Sequence, residues 1–321
     1  MPTRTKTGPT LLADIGGTNA RFALYDGLKI SNSKVLPADR YRDFATAAAD
    51  YLKKTAPDVH MAAVAMAVAA PVIGDGIVMT NVDWRFSLME TKAALKVDRM
   101  IALNDFEAIA LALPVLSDSD LRSVNDGVTG NESPKGVIGP GTGLGVASLI
   151  PHKGHWIPVQ GEGGHVTLAP ETPRESDIIG ELLKTFDHVS AERVVSGPGL
   201  ELLYRTIRMI DGREPEDHMA ARITDMAVQG DIECLEATNL FCAFLGSVAG
   251  NFALTIGATG GIYIAGGIVP RLDGIFQRSQ FCTRFAAKGR FHDYLKRIPI
   301  RVITHPCPAF SGLIARLEEE A

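Results

Sequence analysis

Hydrophobic positions along the chain fall into two patterns, and their alternation predicts strands alternating with helices. Continuous apolar runs at residues 61–70 and 100–103 are typical of strands that are buried on both faces. Helical spacing of apolar residues follows Asn104-Asp105, and residues 232–256 are apolar on most sides, which predicts one long buried helix. Strands that alternate with helices indicate an α/β protein.

Less regular patterns mark the middle and the end of the chain. Residues 114–134 are polar and contain several turn-forming residues, so we expect an irregular connection between two domains. Apolar spacing predicts one helix over about residues 275–287 and a final helix over residues 310–319.

The stretch ADIGGTNARFALYDG, residues 13–27, predicts a strand, a tight glycine turn and a second strand. Glycine has no Cβ, so backbone N–H groups in such a turn can approach an anion closely and form a phosphate site. Asp14 is placed to hold a hydrated Mg²⁺ beside those phosphates. An ordinary hairpin explains this stretch equally well when it is taken alone. The candidate nucleotide-binding residues here are Asp14, Gly16, Gly17, Thr18 and Asn19.

Residues 137–149, VIGPGTGLGVASL, repeat the same order of strand, glycine turn and strand. Gly141, Thr142 and Gly143 occupy the place that Gly16, Gly17 and Thr18 have in the first hairpin. Two such hairpins more than a hundred residues apart suggest a duplicated nucleotide-binding core, with one hairpin from each half of that core. Neither hairpin is a Walker A loop, because no Gly-Lys-Ser/Thr follows, and neither contains G-x-G-x-x-G.

Length and composition limit the classes of protein that fit. A chain of 321 residues is long enough for about two domains, and 46% hydrophobic residues suffice for a buried core. The net charge of -5 gives no indication of nucleic-acid or membrane binding. Four scattered cysteines predict reduced thiols in a cytoplasmic protein. The residues before Leu11 predict neither a signal peptide nor a helix-turn-helix.

Seven motifs then occur in the order found in one family: DIGGTNAR, TNVDW, LNDFEA, GPGTGLG, GEGGH, HVSAERVVSGPGL and AGGIVPR. From residue 11 to residue 316 the chain closely resembles the bacterial glucokinases, ATP-dependent enzymes of the hexokinase, actin and heat-shock ATPase superfold. The resemblance implies an α/β, two-domain actin-like ATPase (ribonuclease H-like) fold, with a cleft between a small α/β domain and a larger α+β domain. We expect the small domain at residues 1–115, with the C-terminal helix 306–321 packing back onto it, and the large domain at residues 116–305.

The resemblance also implies roles for single residues. Asp105 matches the general base of the family, although from spacing alone a helix N-cap is the more frequent reason for such an aspartate. Trp84 either stacks on a sugar ring or lies in the core, with equal support. The substrate-binding positions that the resemblance implies are Asn81, Asn104, Asp105, Glu162, His165 and Glu192. Gly197, Gly266 and Gly267 resemble loops that flank adenosine.

The implied function is that of a glucokinase, which transfers the γ-phosphoryl group of ATP to the 6-hydroxyl of D-glucose in the first step of glycolysis. A kinase of another hexose (mannose, fructose or an acylated amino sugar) and a non-enzymatic sugar sensor remain open as alternatives. The implied cofactor is Mg²⁺ with ATP, and no structural zinc is expected because no cysteine precedes Cys234. The expected partners are ATP, D-glucose and a second copy of the chain in a cytoplasmic homodimer, with no nucleic acid and no membrane.

Overall fold

Two separate β-sheets lie at the centres of two units of the chain. The computed structural model describes residues 8–79, 82–128, 130 and 132–319, apart from the side chain of Asp273. Unit 1 comprises Met1–Leu116 together with Pro306–Ala321, and unit 2 comprises Ser117–His305.

Unit 1 is built on a sheet with the strand order β3-β2-β1-β4-β7. The strands of unit 1 are β1 (Thr10–Ile15), β2 (Asn19–Tyr25), β3 (Ile30–Pro37), β4 (Ala63–Val68), β5 (Gly76–Val78), β6 (Arg85–Ser87) and β7 (Arg99–Asn104). The first three strands form an antiparallel meander, whereas β4 and β7 run parallel to β1. A separate two-stranded ribbon joins β5 to β6.

Three helices of unit 1 begin at residues whose side chains accept backbone hydrogen bonds. They are α1 (Phe44–Thr55), α2 (Leu88–Leu95) and α3 (Asp105–Ala112), with N-caps at Asp43, Ser87 and Asn104. A short 3-10 helix covers Ala38–Arg40. Trp84 is 1% exposed and its indole N–H donates to the Tyr41 carbonyl at 2.9 Å, so it is a core residue and the sugar-stacking alternative is wrong.

Unit 2 repeats the arrangement of the first sheet. Its strands are β8 (Leu121–Asn125), β9 (Lys135–Pro140), β10 (Leu144–His152), β11 (His155–Gly161), β12 (Ile262–Ile264) and β13 (Ile300–Ile303), in the order β11-β10-β9-β12-β13-β8. Three antiparallel strands, β9 to β11, are again followed by two strands parallel to the first of them, β12 and β13. This shared topology is the duplication that the two glycine hairpins predict.

The strand β8 corrects the expectation that residues 114–134 are irregular. It pairs antiparallel with β13 at the edge of the sheet, and the 3-10 helix Asp118–Asp120 precedes it. None of its residues is fully buried. An edge strand of this kind has no apolar run, so the hydrophobic pattern does not reveal it.

The helices of unit 2 surround one apolar core. They are α4 (Pro173–Leu182), α5 (Gly197–Ile210), α6 (Ala220–Val228), α7 (Ile232–Ile256), α8 (Ile268–Arg278), α9 (Phe281–Ala286) and α10 (His292–Lys296), with 3-10 helices at Gly163–His165 and Gly289–Phe291. The long helix α7 has the predicted bounds. Among helices of the described residues, it alone is long and apolar enough to cross a bilayer, and 61% of its most apolar segment is buried inside the protein.

The predicted helix over residues 275–287 is wrong, because the chain breaks between α8 and α9. Ser279 is extended and its hydroxyl donates to the Phe276 carbonyl at 2.7 Å. The same oxygen accepts from the Phe281 N–H at 3.2 Å, so one side chain ends the first helix and begins the second. This local competition with the helix is typical of serine.

The last helix, α11 (Pro308–Glu319), packs on α3 within unit 1. The two helices meet where Gly312 faces the backbone of Ala108, and a Cβ at residue 312 would overlap the Ala108 carbonyl oxygen. Glycine therefore allows α11 to lie directly against the helix that begins with Asp105.

Candidate active site

The glycine turn between β1 and β2 is held by backbone hydrogen bonds and has an exposed tip. The Gly16 N–H donates to the Asn19 carbonyl at 3.0 Å, and the Thr18 carbonyl accepts from the Ala38 N–H at 2.9 Å. Thr18 and Asn19 are exposed, while Gly16 and Gly17 are half-buried. The turn thus presents polar groups to solvent on a fixed backbone.

Asp14 lies near the carboxyl end of β1, directly opposite Arg21 on β2. The Arg21 guanidinium is 3.3 Å from the Asp14 carboxylate. Burial raises the pKa of Asp14 above its ordinary value, and the positive charge of Arg21 acts in the opposite direction. Sequence analysis did not single out Arg21, although the short turn in the predicted hairpin sets the register that pairs residues 14 and 21.

The first turn and the Asn104-Asp105 pair both follow the carboxyl ends of parallel strands in the sheet of unit 1. Ile15 on β1 pairs with Val68 on β4, which pairs with Asn104 on β7. Neighbouring strands are about 4.8 Å apart, so the backbones at residues 15 and 104 are separated by about 10 Å. Carboxyl ends of parallel strands are where ligands bind in α/β sheets.

Asp105 is the first residue of α3, and the N-cap of this helix is Asn104 instead. The Asn104 amide oxygen accepts from the N–H groups of Phe106 and Glu107 at 3.0 and 3.3 Å. The Asn104 amide nitrogen donates to the Ala70 carbonyl at 3.3 Å. The Asp105 carboxylate accepts from the Phe106 N–H at 2.9 Å. Because another residue caps the helix, the N-cap explanation of Asp105 is wrong.

In unit 2 the candidate nucleotide glycines come together where β9 and β12 end. The Gly141 N–H donates to the Gly143 carbonyl at 2.8 Å, and the Gly141 carbonyl accepts from the Gly197 N–H at 2.8 Å. Gly266 has a φ of 86°, and its backbone passes so close to the Pro140 carbonyl that a Cβ would overlap it. Gly267 follows as the residue before α8.

At two of these glycines, neither a close neighbouring atom nor the backbone conformation requires the absence of a side chain. A Cβ at Gly141 or at Gly267 would meet no atom within 4 Å, and neither residue has a positive φ. Glycine at such positions leaves space for a ligand to approach the backbone, as a bound phosphate or adenosine requires.

The loop after β11 brings an acid and an imidazole beside a second acid. The His165 N–H donates to the Glu162 carbonyl at 2.9 Å, and the Glu192 N–H donates to the Gly164 carbonyl at 2.8 Å. One carboxylate oxygen of Glu192 is 3.9 Å from His165 Nε2. Glu162 and His165 are exposed, so their polar groups are accessible to a ligand.

The other carboxylate oxygen of Glu192 accepts from the Leu144 N–H at 2.8 Å. This contact between the sugar-site candidate and the glycine turn has no signal in the sequence, because it joins residues 48 positions apart. Asn81, the remaining candidate, lies outside the described residues. Within residues 8–79, 82–128 and 132–319, no group of three His, Cys, Asp or Glu residues could hold a metal ion.

Comparison with known proteins shows the family. A family model described as Glucokinase matches residues 11–320. The chain belongs to the glucokinase family. It is 45% identical to the glucokinase of Nitrobacter hamburgensis over 311 aligned residues, and this alignment covers 97% of each of the two chains. The predicted enzyme class, an ATP-dependent glucose kinase, is that of this family.

Solved structures show the same fold. The glucokinase of an Antarctic psychrotroph superimposes with a TM-score of 0.86 at 35% identity, covering 97% of this chain and 99% of that one. The glucokinase of Balamuthia mandrillaris in complex with glucose gives a TM-score of 0.84 at 20% identity, covering 99% of this chain and 95% of that one. The predicted actin-like α/β fold is confirmed.

Proposed function

We propose that this chain transfers the γ-phosphoryl group of ATP to the 6-hydroxyl of D-glucose, with Asp105 as the general base. The position of Asp105 carries the proposal. It begins α3 at the carboxyl end of β7, and the Phe106 N–H orients its carboxylate at 2.9 Å. A carboxylate at this position can accept the proton of an attacking hydroxyl.

The reaction that follows needs little covalent chemistry from the protein. The oxygen of the 6-hydroxyl forms a bond to the γ-phosphorus while the bond from that phosphorus to the β,γ-bridging oxygen breaks, and ADP leaves. The hydroxyl proton passes to the Asp105 carboxylate and from there to solvent. Phosphoryl transfer depends mainly on positioning and on charge stabilisation. The turns around the phosphates would therefore contribute mainly by holding the phosphates in place and by stabilising their charge.

ATP is assigned to the glycine turns of both units. Gly16, Gly17, Thr18 and Asn19 in unit 1, and Gly141, Thr142 and Gly143 in unit 2, offer backbone N–H groups to phosphate. Gly197, Gly266 and Gly267 flank the adenosine. The open space where a Cβ of Gly141 or Gly267 would lie supports this assignment.

Mg²⁺ is assigned to Asp14 through a water molecule. Mg²⁺ keeps several waters and takes only one or two carboxylates beside the phosphates, so one protein ligand is sufficient. Burial disfavours the charged Asp14, and Arg21 at 3.3 Å offsets part of that cost. A divalent cation nearby would offset more, which supports the fit. Bound there, Mg²⁺ would neutralise charge that develops on the phosphate oxygens.

The hydroxyls of the sugar are assigned to Glu162, His165 and Glu192, with Asn104 and Asn81 as further ligands. Carboxylates accept and a neutral imidazole both donates and accepts, so this set can recognise hydroxyls of defined orientation. We further propose D-glucose as the preferred hexose and a cytoplasmic homodimer as the working form, both from the family resemblance.

Exchanging Asp105 for asparagine tests the central role. The Asp105→Asn enzyme keeps the shape of the side chain but loses the base, so we expect kcat to fall by about 10²- to 10⁴-fold. A coupled assay that detects ADP measures this, with D-glucose, mannose and fructose compared in parallel. Glu90→Gln is the matched control, because Glu90 is an exposed carboxylate in the first turn of α2. A folded Asp105→Asn enzyme with the kcat of this control refutes the assignment.

A further inference from the structure

The position of the Glu192 carboxylate explains why residue 143 is a glycine. A Cβ at residue 143 would be 2.5 Å from one carboxylate oxygen of Glu192 and 3.2 Å from its carboxyl carbon. The backbone conformation of Gly143 does not itself require glycine. The next N–H, that of Leu144, donates to the same oxygen at 2.8 Å. The glycine turn therefore has a carboxylate seated against it.

The same carboxylate also reaches the sugar loop. Its second oxygen is 3.9 Å from His165 Nε2, and the Glu192 side chain is 32% exposed, so a ligand has access to this side chain. The Glu192 N–H is bonded to the Gly164 carbonyl at 2.8 Å. A Cβ at Gly164 would overlap the Leu144 carbonyl. Turn, Glu192 and loop thus form an unbroken series of direct contacts inside unit 2.

We propose that Glu192 couples sugar binding to nucleotide binding, with the Gly143-Leu144 peptide as its positioning element. The proposal rests on the proposed function, which assigns phosphate to the turn and a sugar hydroxyl to Glu192. Sugar bound to one carboxylate oxygen orders the side chain, and the other oxygen then orders the turn. The ligand that binds first has already met part of the loss of conformational entropy, so the second ligand binds more tightly and the coupling is positive. Couplings of this kind are reciprocal and typically about 5- to 150-fold in affinity.

Gly143→Ala tests the positioning step, because residue 143 does not reach the sugar except through Glu192. The added methyl must displace the carboxylate, so we expect glucose to bind at least about tenfold more weakly by calorimetry without nucleotide. Gly180→Ala is the matched control for glucose binding, since its methyl on α4 of the same unit meets no atom within 4 Å and the residue has no role in the site. In a Glu192→Leu background the Gly143→Ala change should have no further effect on glucose affinity, as a double-mutant cycle requires.

Replacements of Glu192 alone test the coupling, and they serve if Gly143→Ala does not fold. Glutamine keeps an acceptor for the Leu144 N–H, whereas leucine keeps none. We expect Glu192→Leu to weaken binding of the ATP analogue AMPPNP without glucose, and Glu192→Gln to leave it near the wild-type value. We also expect glucose to raise AMPPNP affinity at least about fivefold in the wild type and not at all in Glu192→Leu.

Equal glucose affinity in Gly143→Ala and Gly180→Ala overturns the positioning role. A coupling factor that Glu192→Leu leaves unchanged overturns the link between the sites, as does wild-type glucose affinity in that variant. None of these results affects the kinase assignment, which depends on Asp105 and fails only if Asp105→Asn keeps its kcat.

Discussion

Replacing Gly312 by alanine tests how closely α11 must approach α3. A Cβ at residue 312 would overlap the Ala108 carbonyl oxygen and would lie 2.7 Å from the carbonyl carbon and 3.1 Å from the Ala112 nitrogen. All three are backbone atoms, so no side chain can rotate away to make room. The two helices must separate instead.

The size of the effect follows from these distances. Non-bonded heavy atoms sit about 3.5–4.0 Å apart at their optimum, and the Ala108 oxygen is the nearest of the three atoms, so α11 must move by at least about 1 Å. Overpacking of this kind costs about 1–3 kcal/mol, and alanine recovers up to about 1 kcal/mol through its better helix propensity. We expect a net loss of about 1–2 kcal/mol in the free energy of unfolding. Because Asp105 lies one turn before Ala108, misplacement of α3 by about 1 Å can also lower kcat by up to about 100-fold.

Urea unfolding followed by tryptophan fluorescence measures the stability term. In a Trp156→Phe background the remaining Trp84 is buried in unit 1 and reports on that unit. Gly76→Ala in β5 of the same unit is the matched control, since its methyl meets no atom within 4 Å and should stabilise the protein by up to about 1 kcal/mol. The two substitutions are therefore expected to differ in sign. A Gly312→Ala protein that is as stable and as active as wild type would show that the helices are not in the contact described.

Two further predictions concern ion pairs. Glu175→Ala should lower the free energy of unfolding in urea by more than about 1 kcal/mol, because Glu175 and Arg284 are 1% and 6% exposed and Arg284 would lose a two-point partner at 2.5 and 3.0 Å. The loss should stay below the about 3–5 kcal/mol of an unpaired buried charge, because Glu171 at 2.9 Å remains a partner of Arg284. Glu181→Ala, which breaks an exposed pair, should cost under about 1 kcal/mol. The hydrogen bond from Arg174 lowers the pKa of Asp211. The ionised Asp211 therefore stabilises the folded protein above the ordinary carboxyl pKa, and this stabilisation is lost as pH falls below about 4. The difference in Tm between wild type and Asp211→Asn should therefore shrink from pH 6 to pH 3, and a difference that grows on acidification would contradict the sign.

The sequence alone determined the elements whose causes are local. Asp43, Ser87 and Asn104 each cap a helix through hydrogen bonds from residues two or three positions ahead, so these helix starts have their cause within a few residues of the chain. The apolar run of α7 is continuous in the chain, so its bounds were predictable as well. The two glycine hairpins also form from neighbouring residues, and their similarity indicated a duplicated core.

The tertiary structure alone decided the features that join distant residues. The edge strand β8 depends on pairing with β13, which lies far along the chain, and its own residues carry no apolar period. Leu144 and Glu192 are 48 positions apart, yet their hydrogen bond explains why residue 143 has no side chain. A contact of this kind leaves no spacing in the sequence, because its geometry is set by how sheet and loop pack and not by the order of residues between them.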